Sequence, residues 1–235
     1  MFASLFRRLR HRGPAEIVGL LAKNLRHLLR AFTPQARAAR AADLAFDRRW
    51  GTDTSRGLST RELGYNADRL GQYRRYDPSS EAMLHDPVRA LALDPADHDF
   101  IDYGAGKGRV LMLAMAMGFR TVTGVELSAH LCAIAEANLD RFTAQNPGLK
   151  PAAILNGDAT AHRPSGRAIL VYFYNPFDAA IMTQVRRRLE DTLGQGTASV
   201  AVIYANPEHA EVFRDVPGWQ PGPAFPGIAT FHLTA

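Results

Sequence analysis

An α/β fold with a doubly wound, mostly parallel sheet is what this sequence predicts, on three observations. Short β-branched and apolar runs alternate with helical runs from Asp99 to the end of the chain. The first of those runs passes directly into a glycine-rich turn, Gly104-Ala105-Gly106-Lys107-Gly108, that opens a helix. Carboxylate or amide residues follow the later strands, at the ends where open parallel sheets collect their ligands. With 235 residues, 46% of them apolar, one substantial core is expected, about 70% of the unfolded surface for this size.

Residues 1–40 form a basic, amphipathic helical extension, with a stripe of Val18, Leu21, Leu25, Leu28 and Phe32 and with Lys23, Arg26 and Arg30 elsewhere on the circumference. Gly13-Pro14 divides it from a shorter Leu5-Phe6-Leu9 piece. Nine Lys or Arg against one acid lie in this extension, whereas nineteen against twenty-two lie in the remainder, so the net charge of +5 belongs to the amino-terminal segment. Three roles fit it: packing on the protein's own body or a second copy, lying on an anionic membrane or another polyanion, or serving as an Arg-rich targeting peptide.

Residues 41–97 read as a polar cap segment, with turns at Gly51-Thr52-Asp53, Gly57, Gly64 and Asp77-Pro78 and a helix over 81–93 interrupted near Pro87. From residue 98 to 235 comes the alternating body. Its strands are placed at 99–102, 121–125, 152–155, 168–174, 198–204 and 229–233, and its helices at 108–117, 129–142 and 178–193. Ser128 and Asp178 are the expected N-caps of the last two. The chain's one cysteine, Cys132, falls on the apolar side of helix 129–142, and no apolar run approaches the length of a membrane span. A cytoplasmic protein is expected.

The chemistry sits in the turns. Asp102 precedes Gly104, Gly106 and Gly108 with the spacing D-x-G-x-G-x-G, and glycine lets backbone amides approach an anionic group at a helix N-terminus. Glu126 ends the second strand twenty residues beyond Gly106, where an acid can accept both hydroxyls of a ribose. Asp158 follows the third strand in Asn156-Gly157-Asp158, and Asn175-Pro176-Phe177 follows the fourth. Against these roles stands a plainer reading of solvated loop-end carboxylates and an ordinary turn. Lys107 and Arg109 either approach a ligand carboxylate or face solvent, Met112, Met115 and Met117 fill the core, and Arg186-Arg187-Arg188 forms the outer face of its helix.

In these motifs the chain resembles the class I S-adenosylmethionine-dependent methyltransferases over roughly residues 76–235. The resemblance implies a Rossmann-like, seven-stranded sheet whose last strand is antiparallel. It also implies S-adenosyl-L-methionine as cofactor, with Gly104, Gly106 and Gly108 meeting its methionine moiety, Asp102 its amino group, Glu126 its ribose and Asp158 its adenine. Asn175 and Phe177 resemble the Asn-Pro-Pro-Tyr/Phe motif of amine-methylating members, in which the Asn oxygen and a proline carbonyl accept from the acceptor amine, although one proline is absent here. In many methyltransferases the segment before the first strand covers the cofactor, and Tyr73 and the run Tyr76-Asp77-Pro78-Ser79 are the candidates. Tyr-x-Pro-Ser, D-x-G-x-G-K-G-R and G-x-E-L-S together look most like the protein-lysine methyltransferases acting on the ATP synthase c subunit, which makes a protein a candidate acceptor.

Other readings remain open. A nicotinamide-dependent oxidoreductase shares the acid-ended second strand, but Arg109 stands where the dinucleotide fingerprint has its third glycine. A non-catalytic cofactor-binding module tethered to a membrane or nucleic acid, and more distantly an aminopropyl transferase, complete the set. The eight histidines show no metal-ligand spacing, and there is neither a G-x-S-x-G elbow nor a phosphate-binding P-loop.

Overall fold

A computed structural model describes residues 33–60, 62–63 and 73–235. Two compact units divide the chain, 1–45 and 46–235. The expected stripe from Val18 to Phe32 and the turn at Gly64 lie outside the described residues. Helix α1 covers Pro34–Trp50. No helix among the described residues is long and apolar enough to cross a membrane.

Helix α2 (Ala82–Ala90) runs through Pro87 instead of breaking there. Proline removes one donor but keeps its carbonyl, and that carbonyl accepts from Leu91 N–H at 2.9 Å. After a short 3-10 turn at Pro95–Asp97, strands β1 (Asp99–Tyr103), β2 (Thr121–Glu126), β3 (Ala153–Asn156), β4 (Ala168–Tyr174) and β5 (Ser199–Ala205) alternate with helices α3 (Arg109–Met117), α4 (Ala129–Gln145) and α5 (Ala179–Thr192). A four-residue helix α6 (Glu211–Arg214) and strands β6 (Gln220–Pro221) and β7 (Ile228–Thr234) complete the unit. The sheet order is β3-β2-β1-β4-β5-β7-β6. Strands β1 to β5 pair in parallel, and β7 pairs antiparallel with both β5 and β6.

The seven-stranded α/β sheet with its antiparallel last strand is thus as expected. Strand β6 and the short helix α6 are elements the sequence did not mark. The strand is two residues long and ends on Pro221, which cannot donate to a ladder and is confined to sheet edges.

Alternation along the buried strands divides the core between the two faces of the sheet. Ile169, Val171 and Phe173 of β4 join Ile181, Met182, Val185 and Leu189 of α5, while Leu170 and Tyr172 join Val110, Met112 and Met115 of α3 with Leu84 and Val88 of α2. The caps are as expected: Ser128 Oγ accepts from Leu131 N–H at 3.3 Å and Asp178 Oδ1 from Ile181 N–H at 3.0 Å. Cys132 is buried, and burial pushes its thiol up to about 11. Arg186 departs from the expected outer face. It is buried and bonded to Glu190, whose carboxylate also accepts from Trp219 Nε1 at 2.8 Å.

The order of the strands fixes where a ligand can enter. From β1 the chain winds outward to β2 and β3 and then crosses back to place β4 on the other side of β1. A crevice opens at such a reversal, outside the carboxyl ends of β1 and β4.

Candidate active site

A cleft of about 330 Å³ occupies that crevice, within the size range of small-molecule sites. It brings together Asp102 near the end of β1, Gly104 just after that strand, Glu126 at the end of β2, and Asn175, Pro176 and Phe177 after β4. Gly106, Gly108 and Asp158 stay out of its lining, although Gly157 and Ala159 on either side of Asp158 belong to it. Asp158 uses its carboxylate to close its own turn, accepting from Thr160 N–H at 2.9 Å and Thr160 Oγ1 at 2.7 Å.

Asp102 and Glu126 are 3% and 4% exposed. The Asp102 side chain makes no hydrogen bond among the described residues, and burial followed by the neighbouring Glu126 charge drives its carboxyl well above the usual range. Glu126 is differently placed. Its Oε2 accepts from Gly106 N–H at 3.0 Å and its Oε1 from Ser128 N–H at 2.8 Å. Two buried acids sharing one cleft, one of them unpaired, make a site that favours a cation.

The amides of the glycine turn do not wait for a ligand as the sequence suggests. Gly104 N–H donates to Val125 O at 2.9 Å, Gly106 N–H to Glu126, and Gly108 N–H to Ala105 O at 2.9 Å. What the glycines provide is room. A Cβ on Gly104 would come within 2.7 Å of the Pro176 ring, and one on Gly106, whose φ is +55°, would collide with the ring of Tyr76. The turn is therefore packed under two neighbours that no larger residue would admit.

Tyr76 belongs to a strap that crosses the ends of the strands. Tyr73 pairs with Phe177 in an antiparallel bridge, their rings edge-on at 5.9 Å. Arg74 N–H donates to Pro176 O at 3.2 Å, and Tyr76 pairs with Leu58. Tyr76 Oη donates to Thr54 O at 2.8 Å, and Ser79 Oγ is bonded to Tyr172 Oη at 3.0 Å. The segment before the first strand thus roofs the cleft.

Sequence reasoning missed what holds the roof down. Lys107 and Arg109 do not face solvent: they are 1% and 4% exposed, and Arg109 also lines the cleft. Lys107 Nζ bonds Asp53 Oδ1 at 2.9 Å and lies 5.6 Å from the centre of the Tyr76 ring. Arg109 Nε donates to Thr54 Oγ1 at 2.8 Å, its guanidinium stacks 4.6 Å over Phe46, and it lies 3.9 Å from Asp47. Burial pushes the Asp47 carboxyl upward, but hydrogen bonds from Thr54, Ser55 and Thr52 outweigh it and hold the group below its ordinary value. The signal was present in the sequence as two cations in a glycine turn and an Asp-Thr pair fifty residues earlier. Nothing in the spacing joins them.

At the far end of the cleft, Asn175 is 3% exposed and its Oδ1 accepts from Tyr204 Oη at 3.1 Å. Phe177 is buried as well.

No family model and no curated protein matches the chain. Among solved structures, a putative methyltransferase, yhhF, from Escherichia coli aligns with a TM-score of 0.50 at 16% identity, over 68% of this chain and 89% of its own. The fold is that of the class I methyltransferases. An RNA methyltransferase from Salinibacter ruber in complex with S-adenosyl-L-homocysteine aligns at 0.48 and 17% identity, over 67% of this chain and 92% of that one. Magnesium protoporphyrin IX methyltransferase from Synechocystis with bound SAM aligns at 0.48 and 10% identity, over 66% and 78%. In this chain Asp102, Gly104, Glu126, Asn175 and Phe177 converge on the crevice between β1 and β4.

Proposed function

We propose that this chain is an S-adenosylmethionine-dependent methyltransferase acting on a nitrogen nucleophile. The observation that carries the reading is the buried pair Asp102 and Glu126, with Asp102 unpaired among the described residues at the mouth of the glycine turn. S-Adenosylmethionine brings a cationic amino group and a sulfonium to such a site, whereas the pyrophosphate of a nicotinamide dinucleotide would bring two negative charges against two carboxylates. That difference disfavours the oxidoreductase reading independently of Arg109.

The residues fit the cofactor by role. Asp102 accepts from the amino group, Glu126 at the end of β2 takes the ribose hydroxyls, and Leu127, Leu131 and Ala159 give the adenine an apolar wall. Asp158 would reach the adenine amino group from the turn it caps. When bound, the cofactor supplies an electrophilic methyl group, which the acceptor's lone pair takes while the carbon–sulfur electrons remain on sulfur. Asn175, Pro176 and Phe177 hold the acceptor, and the strap through Tyr73 and Tyr76 keeps water from the cleft. Alignment and water exclusion of this kind contribute about 7–11 kcal/mol of barrier reduction in favourable cases, so no dedicated base is required. The acceptor nitrogen must arrive unprotonated.

Calorimetric titration with S-adenosylhomocysteine and with NAD tests the reading directly. Binding of the first and not the second is expected, and the reverse would replace methyl transfer by redox chemistry. Binding without any methyl incorporation from labelled cofactor into protein, RNA or small molecules of a cell extract would leave a cofactor-binding module.

A further inference from the structure

Charge is segregated along this chain, and again around helix α1. Residues 1–50 hold eleven of the twenty-eight Lys and Arg but only three of the twenty-three acids, which leaves seventeen cations against twenty acids in the remainder. Within α1 the two acids, Asp43 and Asp47, are partly buried, whereas Arg37, Arg40, Arg48 and Arg49 are all exposed. Asp47 gives its carboxylate to Thr52, Thr54 and Ser55. At about 100° per residue, Arg37, Ala41, Leu44 and Arg48 fall within about 60° of one another, with Arg40 beside them, on the side of the helix opposite the buried Phe46. The outward side of α1 is therefore a row of arginines with one large apolar residue among them.

The Arg37, Arg40 and Arg48 side chains make no ion pair or hydrogen bond among the described residues, and Leu44 is left 43% exposed. A partner for this side has to be anionic, and the apolar residues say which kind. A phosphate backbone would use the arginines alone. A bilayer with anionic headgroups uses both kinds of residue, drawing cations to the headgroups and burying apolar side chains at the acyl boundary. The sequence ahead of α1 supplies both as well: Val18, Leu21, Leu25, Leu28 and Phe32 recur at helical spacing among Lys23, Arg26 and Arg30. A second copy of the chain fits poorly. Two segments of net charge +8 repel each other, and this stripe covers about two heptads where a coiled coil sustains about three or four.

We propose that residues 1–50 dock this protein on an anionic lipid surface, with Arg37, Arg40, Leu44 and Arg48 of α1 against the headgroups. No residue of α1 lines the cleft, so the docking stands or falls separately from the methyl-transfer reading. The remainder of the chain, with its excess of acids, is repelled by such a surface, and attachment belongs to the basic segment alone.

Flotation of the full chain with vesicles of phosphatidylcholine alone, and of phosphatidylcholine with phosphatidylglycerol, tests the proposal at low and high salt. Binding to the second kind only is expected, weaker at high salt because headgroup attraction is screened. Each arginine at such a surface strengthens attachment about fivefold, so the triple variant Arg37→Gln, Arg40→Gln, Arg48→Gln should bind about a hundredfold more weakly. Leu44→Gln should bind about threefold more weakly. Both variants should keep the parent's thermal midpoint, since the side chains are exposed and glutamine is as good a helix former as arginine. Equal binding to both kinds of vesicle, or to neither, overturns the assignment. Retention on polyuridylate in preference to the anionic vesicles overturns it in favour of a nucleic-acid surface, and a dimer by light scattering that the triple variant dissolves overturns it in favour of a contact between copies. Vesicle binding undiminished in the triple variant removes α1 from the docking surface.

Discussion

Asp102→Asn should make the free protein more stable and a poorer ligand binder. In the folded chain the Asp102 carboxylate is 3% exposed, has no hydrogen bond among the described residues, and shares its cleft with Glu126. Asparagine keeps the shape and removes the charge. Relief of an unfavourable group of this kind is worth about 0.5–2 kcal/mol, and for a domain of this size each kcal/mol moves Tm by about 2–4 °C, so a rise of about 1–8 °C is expected. The gain also has a pH signature. An acid whose carboxyl is pushed up by folding is protonated in both states below its ordinary value of about 3.9. Its cost to the folded state grows as pH rises from there toward the folded value. The variant's advantage should therefore be small near pH 4 and grow as pH rises toward neutral. Affinity for S-adenosylhomocysteine should meanwhile fall about ten- to hundredfold, the loss of one charge-assisted hydrogen bond. Thermal melts at several pH values and calorimetric titration read both effects. A variant no more stable than the parent at neutral pH, or one that binds equally well, would refute the reasoning that Asp102 is a strained buried acid kept for a cation.

Gly106→Ala places a Cβ against the Tyr76 ring at a φ of +55°, and left-handed backbone costs an L-residue about 1–2 kcal/mol before any clash. Urea unfolding should show at least that loss, whereas Gly118→Ala, with the same sign of φ but open space, should show only the backbone part. Arg109→Met leaves Thr54 Oγ1 and Asp47 without their buried partner; a loss of about 1–3 kcal/mol and faster proteolysis within residues 46–60 are expected, and unchanged cleavage would mean that Arg109 is not the anchor. His162 is partly buried against Tyr103, its Nδ1 2.8 Å from the hydroxyl, and burial lowers its pKa. The unfolded chain therefore binds the extra proton first, so stability should decline as pH falls below about 6.5, and His162→Gln should remove that part of the urea-midpoint profile.

The sheet was legible because its central strands are buried on both faces and bounded by turns. Runs such as Ile169 to Phe173 contribute alternate residues to two cores, and continuous apolarity of that length between turn signals has few other interpretations. Asp102 and Glu126 were legible because a strand end fixes where a side chain goes. Arg186 was not, since its burial depends on Glu190 one helical turn away and on Trp219 beyond the sheet's last crossover. The surroundings of Asn175 were hidden for the same reason: a local motif suggests which residue faces the site, but its amide oxygen is bonded by Tyr204, twenty-nine positions later.

Arg109 carries a lesson for anyone who would redesign this turn. Replacing it with glycine would restore the G-x-G-x-x-G spelling associated with dinucleotides, yet the same change would cut the mooring of Asp47 and Thr54 and let go of the covering over Gly106. The edit that most improves the written likeness to another cofactor family would leave the crevice open to water, so converting one specificity into the other requires rebuilding the roof before touching the floor.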